Sequence, residues 1–281
     1  MNVFKSQIFN PRRPHLIEGI VSQWPAFKKW NLEYLLQVAG PRTVPIEVGA
    51  TYMSQEFTQK MMTLENFVRK YIDEKKNTTH NLEKKQEKEQ EQEKEQEQEK
   101  EKEQNSFPMA YLAQHELFDQ IPQLSRDIIE PDYCVLSDDI KKKELTSEGD
   151  EEGGGGGGGG GGGEEGLIPV VQRNSWFGPA GTVSPLHHDR NHNLFCQVFG
   201  SKSILLIDPL HSSMLYCNDG IHSNTSRVDF QKKGWHERWP NVIGVPCMLV
   251  TVAPGEMLYI PPKWWHFCVA EETSFSVSYW W

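Results

Sequence analysis

The chain has 281 residues and a formal net charge of −10, but two biased stretches must be set aside before length or charge says anything about domain count. Residues 83–104 hold ten Glu, six Lys and otherwise only Gln, and residues 138–166 hold nine acids and three Lys around an unbroken glycine run at 153–163. These two stretches carry the whole net charge, so the remaining roughly 230 residues are neutral: enough for one large all-β domain, and without the electrostatic footprint that direct nucleic-acid binding needs.

The organisation read from this is a single domain over 1–281 with a Glu/Lys/Gln insertion at 83–104 and an acidic, glycine-rich insertion at 138–166, both solvated. Residues 1–20 contain charges and prolines but no apolar leader core, and no window approaches a membrane-spanning length. The expectation is an intracellular protein, nuclear or cytoplasmic, with no membrane partner.

The first predicted helix starts at Asn31 as N-cap, with Trp30 and Leu35 at staple spacing, and ends at Gly40. A second starts at Thr63 and places Leu64, Phe67, Val68, Tyr71 and Ile72 on one face. The Glu/Lys/Gln run that follows lacks an apolar seam, which excludes a coiled coil. From residue 107 the pattern changes to short β-branched and aromatic runs bounded by Gly, Pro, Asn and Asp. Strands are predicted at 107–113, 170–177, 193–199, 203–207, 247–252, 257–260, 265–270 and 275–279. Eight or so short strands suit a mainly β jelly roll of two facing antiparallel sheets, whose mouth is a natural ligand site. The five cysteines, Cys134, Cys196, Cys217, Cys247 and Cys268, form no C-x-x-C pair and read as reduced, mostly buried thiols.

The segment Ser184-Pro185-Leu186-His187-His188-Asp189 contains an H-x-D, and residues i and i+2 of an extended backbone share a face. His187 and Asp189 can therefore grip one ion. A third ligand is available in His266, at the start of a late strand after Pro261-Pro262-Lys263-Trp264-Trp265, where a double sheet can bring it opposite the first two. Two imidazoles and a carboxylate on one face leave open positions, as in non-haem Fe(II) oxygenases. A catalytic zinc site from the same ligands is the chemical competitor. His188, His192, His211, His222 and His236 have no partner at ligand spacing and are read as loop or core histidines.

Separated motifs in a fixed order carry a family resemblance. Arg13-Pro14-His15-Leu16-Ile17-Glu18-Gly19 and Trp24-Pro25 resemble the opening of Jumonji-C oxygenases. Val44-Pro45-Ile46-Glu47-Val48-Gly49, Tyr111-Leu112-Ala113-Gln114-His115, Trp176-Phe177-Gly178-Pro179, Gly181-Thr182, Pro185-Leu186-His187 and Phe275-Ser276-Val277-Ser278 narrow the resemblance to the subfamily of Jumonji domain-containing protein five. That subfamily is known as arginyl hydroxylases and also described as histone lysine demethylases. The resemblance implies a double-stranded β-helix of cupin type with flanking N-terminal helices. It implies Fe(II) held by His187, Asp189 and His266, with 2-oxoglutarate and O2 as cosubstrates and a protein arginine or methyl-lysine as target. Lys202, with Tyr111, Ser184 and Asn193, would contact 2-oxoglutarate, and Glu47, Gln114 and Trp176 would line the substrate pocket. A chromatin regulator in the nucleus is one setting for such an enzyme. The sequence departs from the subfamily at Phe57, where tryptophan is usual, at Arg190, where proline is, and at His188, where Gln is common. Other readings of the same fold are a catalytically silent protein-binding module and a metal-binding cupin without 2-oxoglutarate, such as an isomerase.

Overall fold

A computed structural model describes residues 1–54, 56–73, 109–137 and 170–281. Both biased stretches lie outside the described residues, as do the first two positions of the strand expected at 107–113.

Alternation along the strands builds two layers. One is an eight-stranded antiparallel sheet made of β1 (His15–Ile17), β2 (Thr43–Val48), β3 (Thr58–Thr63), β4 (Ala110–His115), β5 (Gln172–Gly178), β7 (Asn193–Phe199), β10 (Met257–Ile260) and β12 (Ser274–Trp280), in the order β1-β10-β7-β12-β5-β4-β2-β3. Facing it is a four-stranded sheet of β6 (Val183–His188), β8 (Lys202–Ile207), β9 (Cys247–Val252) and β11 (Trp265–Ala270), in the order β6-β11-β8-β9. On β12 the apolar residues Phe275, Val277 and Tyr279 join the main core, while Ser274, Ser276 and Ser278 occupy the alternate positions and are equally buried. The small hydroxyl side chains leave room between the sheets. Leu258 and Ile260 of β10 pack there with Ile204, Leu206 and Val252 of the small sheet.

The N-terminal helices cover the other face of the large sheet. In Leu32–Ala39 the Asn31 side chain accepts from Tyr34 N–H at 2.9 Å, as an N-cap should. Gly40 ends it in the right-handed region, so the stop comes from Pro41, which has no N–H to extend the ladder. Trp30 meets Phe275 edge-on at 4.9 Å, and Asp127 accepts from Lys29, Trp30 and Tyr34, tying the helices to the chain beyond β4. The second helix is capped by Thr63 and continues from Leu64–Phe67 into a wider π-helical segment, Val68–Asp73. All five predicted apolar positions are buried.

There are twelve strands among the described residues where about eight were predicted, and the missed ones have identifiable causes. Pro185 lies in β6 and Pro45 in β2, and proline argues against a strand unless its missing N–H faces no partner. β6 is an edge strand, and β4 pairs with β2 only at Glu47 and Val48, so each proline has a side without a strand partner toward which its missing N–H can lie. β1 is three residues long, and β3 is largely exposed. A long excursion between β8 and β9 covers the outer face of the small sheet, burying Leu215, Val228 and Trp239 against Leu186 and Trp265. All five cysteines are free; Cys134, Cys196 and Cys268 are buried, Cys217 is half-buried and Cys247 is exposed. No helix among the described residues is long and apolar enough to cross a membrane.

The turn from β7 into β8 carries the chain from one sheet to the other through Gly200 at φ +64°. A Cβ there would lie 2.3 Å from the Thr273 carbonyl oxygen, a backbone atom with little freedom to move. Gly200→Ala is therefore expected to destabilise the fold by about 2–4 kcal/mol, from the left-handed backbone and the clash together. Thermal unfolding checks this, and an unchanged midpoint would contradict it. The turn matters because it delivers Lys202 to the interior.

Candidate active site

The three candidate ligands converge at one end of the small sheet. His187 on β6 and His266 on β11 are direct cross-strand partners, with ring centroids 4.2 Å apart. The third ligand thus arrives directly opposite His187, from the neighbouring strand of the same sheet. Asp189 follows the end of β6, where Lys263 N–H donates to its carbonyl at 2.8 Å. Its carboxylate lies 3.9 Å from His187 Nε2 and 3.6 Å from His266 Nε2. One ligand atom from each residue falls within 4.8 Å of the others.

The backbone selects the imidazole tautomers. His187 Nδ1–H donates to the Pro185 carbonyl at 2.7 Å and His266 Nδ1–H to the Trp264 carbonyl at 3.0 Å. Both rings therefore turn an Nε2 lone pair toward the aspartate. Burial, reinforced by the nearby His187, pushes the pKa of His266 down to about 4, which keeps the ring neutral.

Two cavities meet at this cluster. The inner one, about 30 Å³, is lined by all three ligands together with Tyr111, Ser184, Asn193 and Lys202, and is walled by Phe195, Ile204 and Ile260. Lys202 is only 1% exposed and donates from Nζ to Tyr111 Oη at 2.8 Å. The ammonium also sits 5.2 and 5.3 Å from the Tyr111 and Phe195 ring centres, yet no carboxylate pairs with it among the described residues. Burial lowers its pKa to about 8. The outer cavity, about 280 Å³, runs from His187 and Asp189 past Tyr111 to Glu47, Gln114 and Trp176. Glu47 is the cross-strand partner of Tyr111, and burial raises its carboxyl pKa to about 7. Gln114 sits at φ +46° within an irregular stretch of the β4–β5 pairing, and Trp176 is fixed by its indole N–H donating to Ser278 Oγ at 2.9 Å.

The predicted residues therefore collect into two adjoining cavities, with none left elsewhere. The opposite wall of the outer cavity is Tyr52, His222, Asn224 and Thr225, none of which the sequence singled out. Tyr52 and Asn224 lie in turns, Thr225 in an isolated bridge and His222 at the end of a single 3-10 turn, Gly220–His222, all too short for periodicity, and His222 looked like any partnerless histidine. Of the others set aside, His192 bonds Tyr259 at 2.8 Å and stacks on Phe9 and Trp281, while His188 packs edge-on against Trp265. Among the departures from the family pattern, Phe57 stands in a small pocket beside Glu47, and Arg190 is exposed.

The residues fit a divalent cation and a dicarboxylate on three counts. Asp189 Oδ2 is buried without a hydrogen bond, the two Nε2 lone pairs face it, and Lys202 is a buried ammonium lining the same cavity that no carboxylate pairs with among the described residues. Asn193 Oδ1 is likewise buried and unpartnered, ready for a polar occupant.

A jelly roll of two antiparallel sheets carrying two histidines and one aspartate at its mouth defines a cupin-type scaffold with a facial ligand triad. Comparison with known proteins agrees: the profile described as cupin-like domain matches residues 1–281. The chain is 38% identical to Jumonji C domain-containing protein 5 of Drosophila melanogaster, covering 99% of this chain and 57% of that protein. It is 36% identical to lysine-specific demethylase 8 of Xenopus tropicalis and 36% identical to lysine-specific demethylase JMJ30 of Arabidopsis thaliana, over 99% of this chain and 50% and 52% of theirs. The chain belongs to the Jumonji C group of the cupin-like domain family, and it spans about half the length of the curated relatives it matches.

Proposed function

We propose that this chain is an Fe(II)- and 2-oxoglutarate-dependent oxygenase domain that hydroxylates an arginine side chain of a protein. The observation that carries the reading is Lys202, an ammonium buried in the same cavity as the three ligand atoms with no carboxylate paired to it among the described residues. Leaving a charge there is costly unless an anion arrives to pair with it. A metal-binding cupin acting on a neutral substrate, such as an isomerase, would not need that lysine.

In this reading His187, Asp189 and His266 hold the iron, and Lys202 with Tyr111 receives the far carboxylate of 2-oxoglutarate. Ser184 and Asn193 supply the remaining polar contacts. When bound, iron, 2-oxoglutarate and O2 supply the oxidant that places one oxygen atom on a C–H bond, with succinate and CO2 as co-products. The chain's own work is positioning. Phe195, Ile204 and Ile260 exclude water, while Glu47 and Gln114 accept N–H bonds from a guanidinium whose plane meets the Trp176 ring. Planar, multi-donor recognition of this kind suits arginine.

Glu47 gives the arginine reading a pH test. Its carboxyl is neutral below about pH 7 and ionised above it, whereas a guanidinium is cationic throughout. The KM for an arginine peptide is expected to fall as pH rises from 6 to 8, and Glu47→Gln should flatten that profile and raise KM by about tenfold or more. A native profile that is flat, or one that Glu47→Gln leaves intact, would contradict the assignment.

Demethylation of methyl-lysine is the second reading, favoured by the names of the demethylase relatives. There the same hydroxylation falls on an N-methyl carbon and the product releases formaldehyde, and a chromatin protein in the nucleus becomes the partner. A silent binding module would produce no succinate with any peptide.

A further inference from the structure

His187 and Asp189 can share one ion only while His188, the residue between them, stays extended, because side chains at i and i+2 share a face only on an extended backbone. His188 is the last residue of β6, and chain-end positions of an element are where pairing opens most readily. Here both of its main-chain groups are held by one residue. Its N–H donates to the Asn224 carbonyl at 2.9 Å, and the Asn224 side-chain amide donates to its carbonyl at 3.1 Å.

The grip belongs to a longer contact along β6. Thr225 pairs antiparallel with His187, and Ser226 N–H donates to Leu186 O at 2.8 Å. On the opposite side β11 pairs with β6 and brings His266, and Lys263 N–H holds the Asp189 carbonyl. The H-x-D pair is thus fixed by the third ligand's strand on one side and by an asparagine of the β8–β9 excursion on the other. Asn224 is half-buried and lines the outer cavity together with His187 and Asp189.

We propose that Asn224 is the positioning residue that keeps His187 and Asp189 in register for the metal. This rests on the metal-binding reading above. The backbone half of the grip is open to any residue at position 224. The half that needs asparagine is the amide donor, which alanine, or leucine of similar volume, does not offer. A group that orients ligands without touching the metal acts on affinity, and its loss costs about tenfold or more.

A second asparagine separates positioning from plain support of the excursion. Asn218 is half-buried in the same segment and makes the same kind of bond, from its side-chain amide to the Thr225 carbonyl at 2.9 Å, but among the described residues it makes no hydrogen bond to β6.

The experiment titrates Co(II) alone, a divalent stand-in for Fe(II), into the full chain and follows its visible absorption bands, with thermal unfolding of the metal-free protein alongside. Asn224→Ala and Asn224→Leu are expected to bind Co(II) about tenfold more weakly than the native protein, with altered bands. Asn218→Ala should bind it as the native protein does, although its metal-free unfolding midpoint falls as far as that of Asn224→Ala. Native affinity and bands in the Asn224 variants, or equal weakening in Asn218→Ala, overturns the positioning role. No uptake by the native protein overturns the metal site, and the positioning role with it; uptake that Asp189→Ala abolishes and the Asn224 variants leave intact overturns the positioning role alone. Asn224→Leu keeps the side-chain volume, so the comparison holds even where Asn224→Ala does not fold.

Discussion

Lys202→Met is expected to make the protein more stable and to end its use of 2-oxoglutarate. Among the described residues the buried ammonium lies beside two aromatic rings with one hydroxyl partner and no carboxylate partner, and burial brings its pKa from the ordinary lysine value down to about 8. A depressed folded-state pKa means that below pH 8 the native state holds a charge it disfavours. Stability attributable to this group is present above the unfolded lysine pKa and is lost as pH falls through about 8. An apolar side chain of similar length removes that penalty, so a gain on the order of 2–4 kcal/mol is expected at pH 7, shrinking from pH 8 upward. The activity moves the other way. Without a cation to meet the cosubstrate carboxylate, the KM for 2-oxoglutarate should rise at least about a hundredfold. Thermal unfolding across pH with succinate release checks both halves. Loss of stability together with normal 2-oxoglutarate turnover would show that the lysine is structural.

Asp189→Ala is expected to abolish succinate production outright. Asp189 is the sole carboxylate in the triad, and its Oδ2 atom has no hydrogen bond to lose. The substitution should therefore leave the metal-free fold unharmed, since it removes a buried oxygen that has no hydrogen-bond partner among the described residues. Added Fe(II) should raise the unfolding midpoint of the native protein by preferential binding to the folded state, and should do so far less for Asp189→Ala. His187→Ala is expected to behave the same way catalytically. Iron-dependent turnover unchanged in either variant would remove the triad from the chemistry.

The strands that sequence placed correctly are those with hard boundaries. β7 runs to the turn at Gly200, and β10 lies between Gly255 and Pro261, so apolar runs and chain punctuation coincide. β6, which carries His187, was hidden because Pro185, two histidines and an aspartate look like a loop, and only its place at a sheet edge tolerates the proline. The H-x-D spacing pointed to two ligands. His266 was legible as a third ligand at the start of a late strand; that it sits beside the other two depends on the β6–β11 register, a long-range pairing that no local pattern encodes. Resemblance pointed to Lys202, which by composition is a lysine after a glycine turn; its burial is a property of the fold. Tyr52, His222, Asn224 and Thr225 had no sequence signal because their position follows from where two irregular loops land.

The most direct measurement is mass spectrometry of an arginine peptide and a matched trimethyl-lysine peptide incubated with the iron-loaded protein, 2-oxoglutarate and O2, with succinate counted alongside. The account predicts one oxygen atom gained on the arginine for each succinate released, and nothing when 2-oxoglutarate is withheld. Loss of a methyl group from lysine with formaldehyde, and an untouched arginine, would contradict the arginine assignment; oxidation that proceeds without 2-oxoglutarate would contradict the site itself.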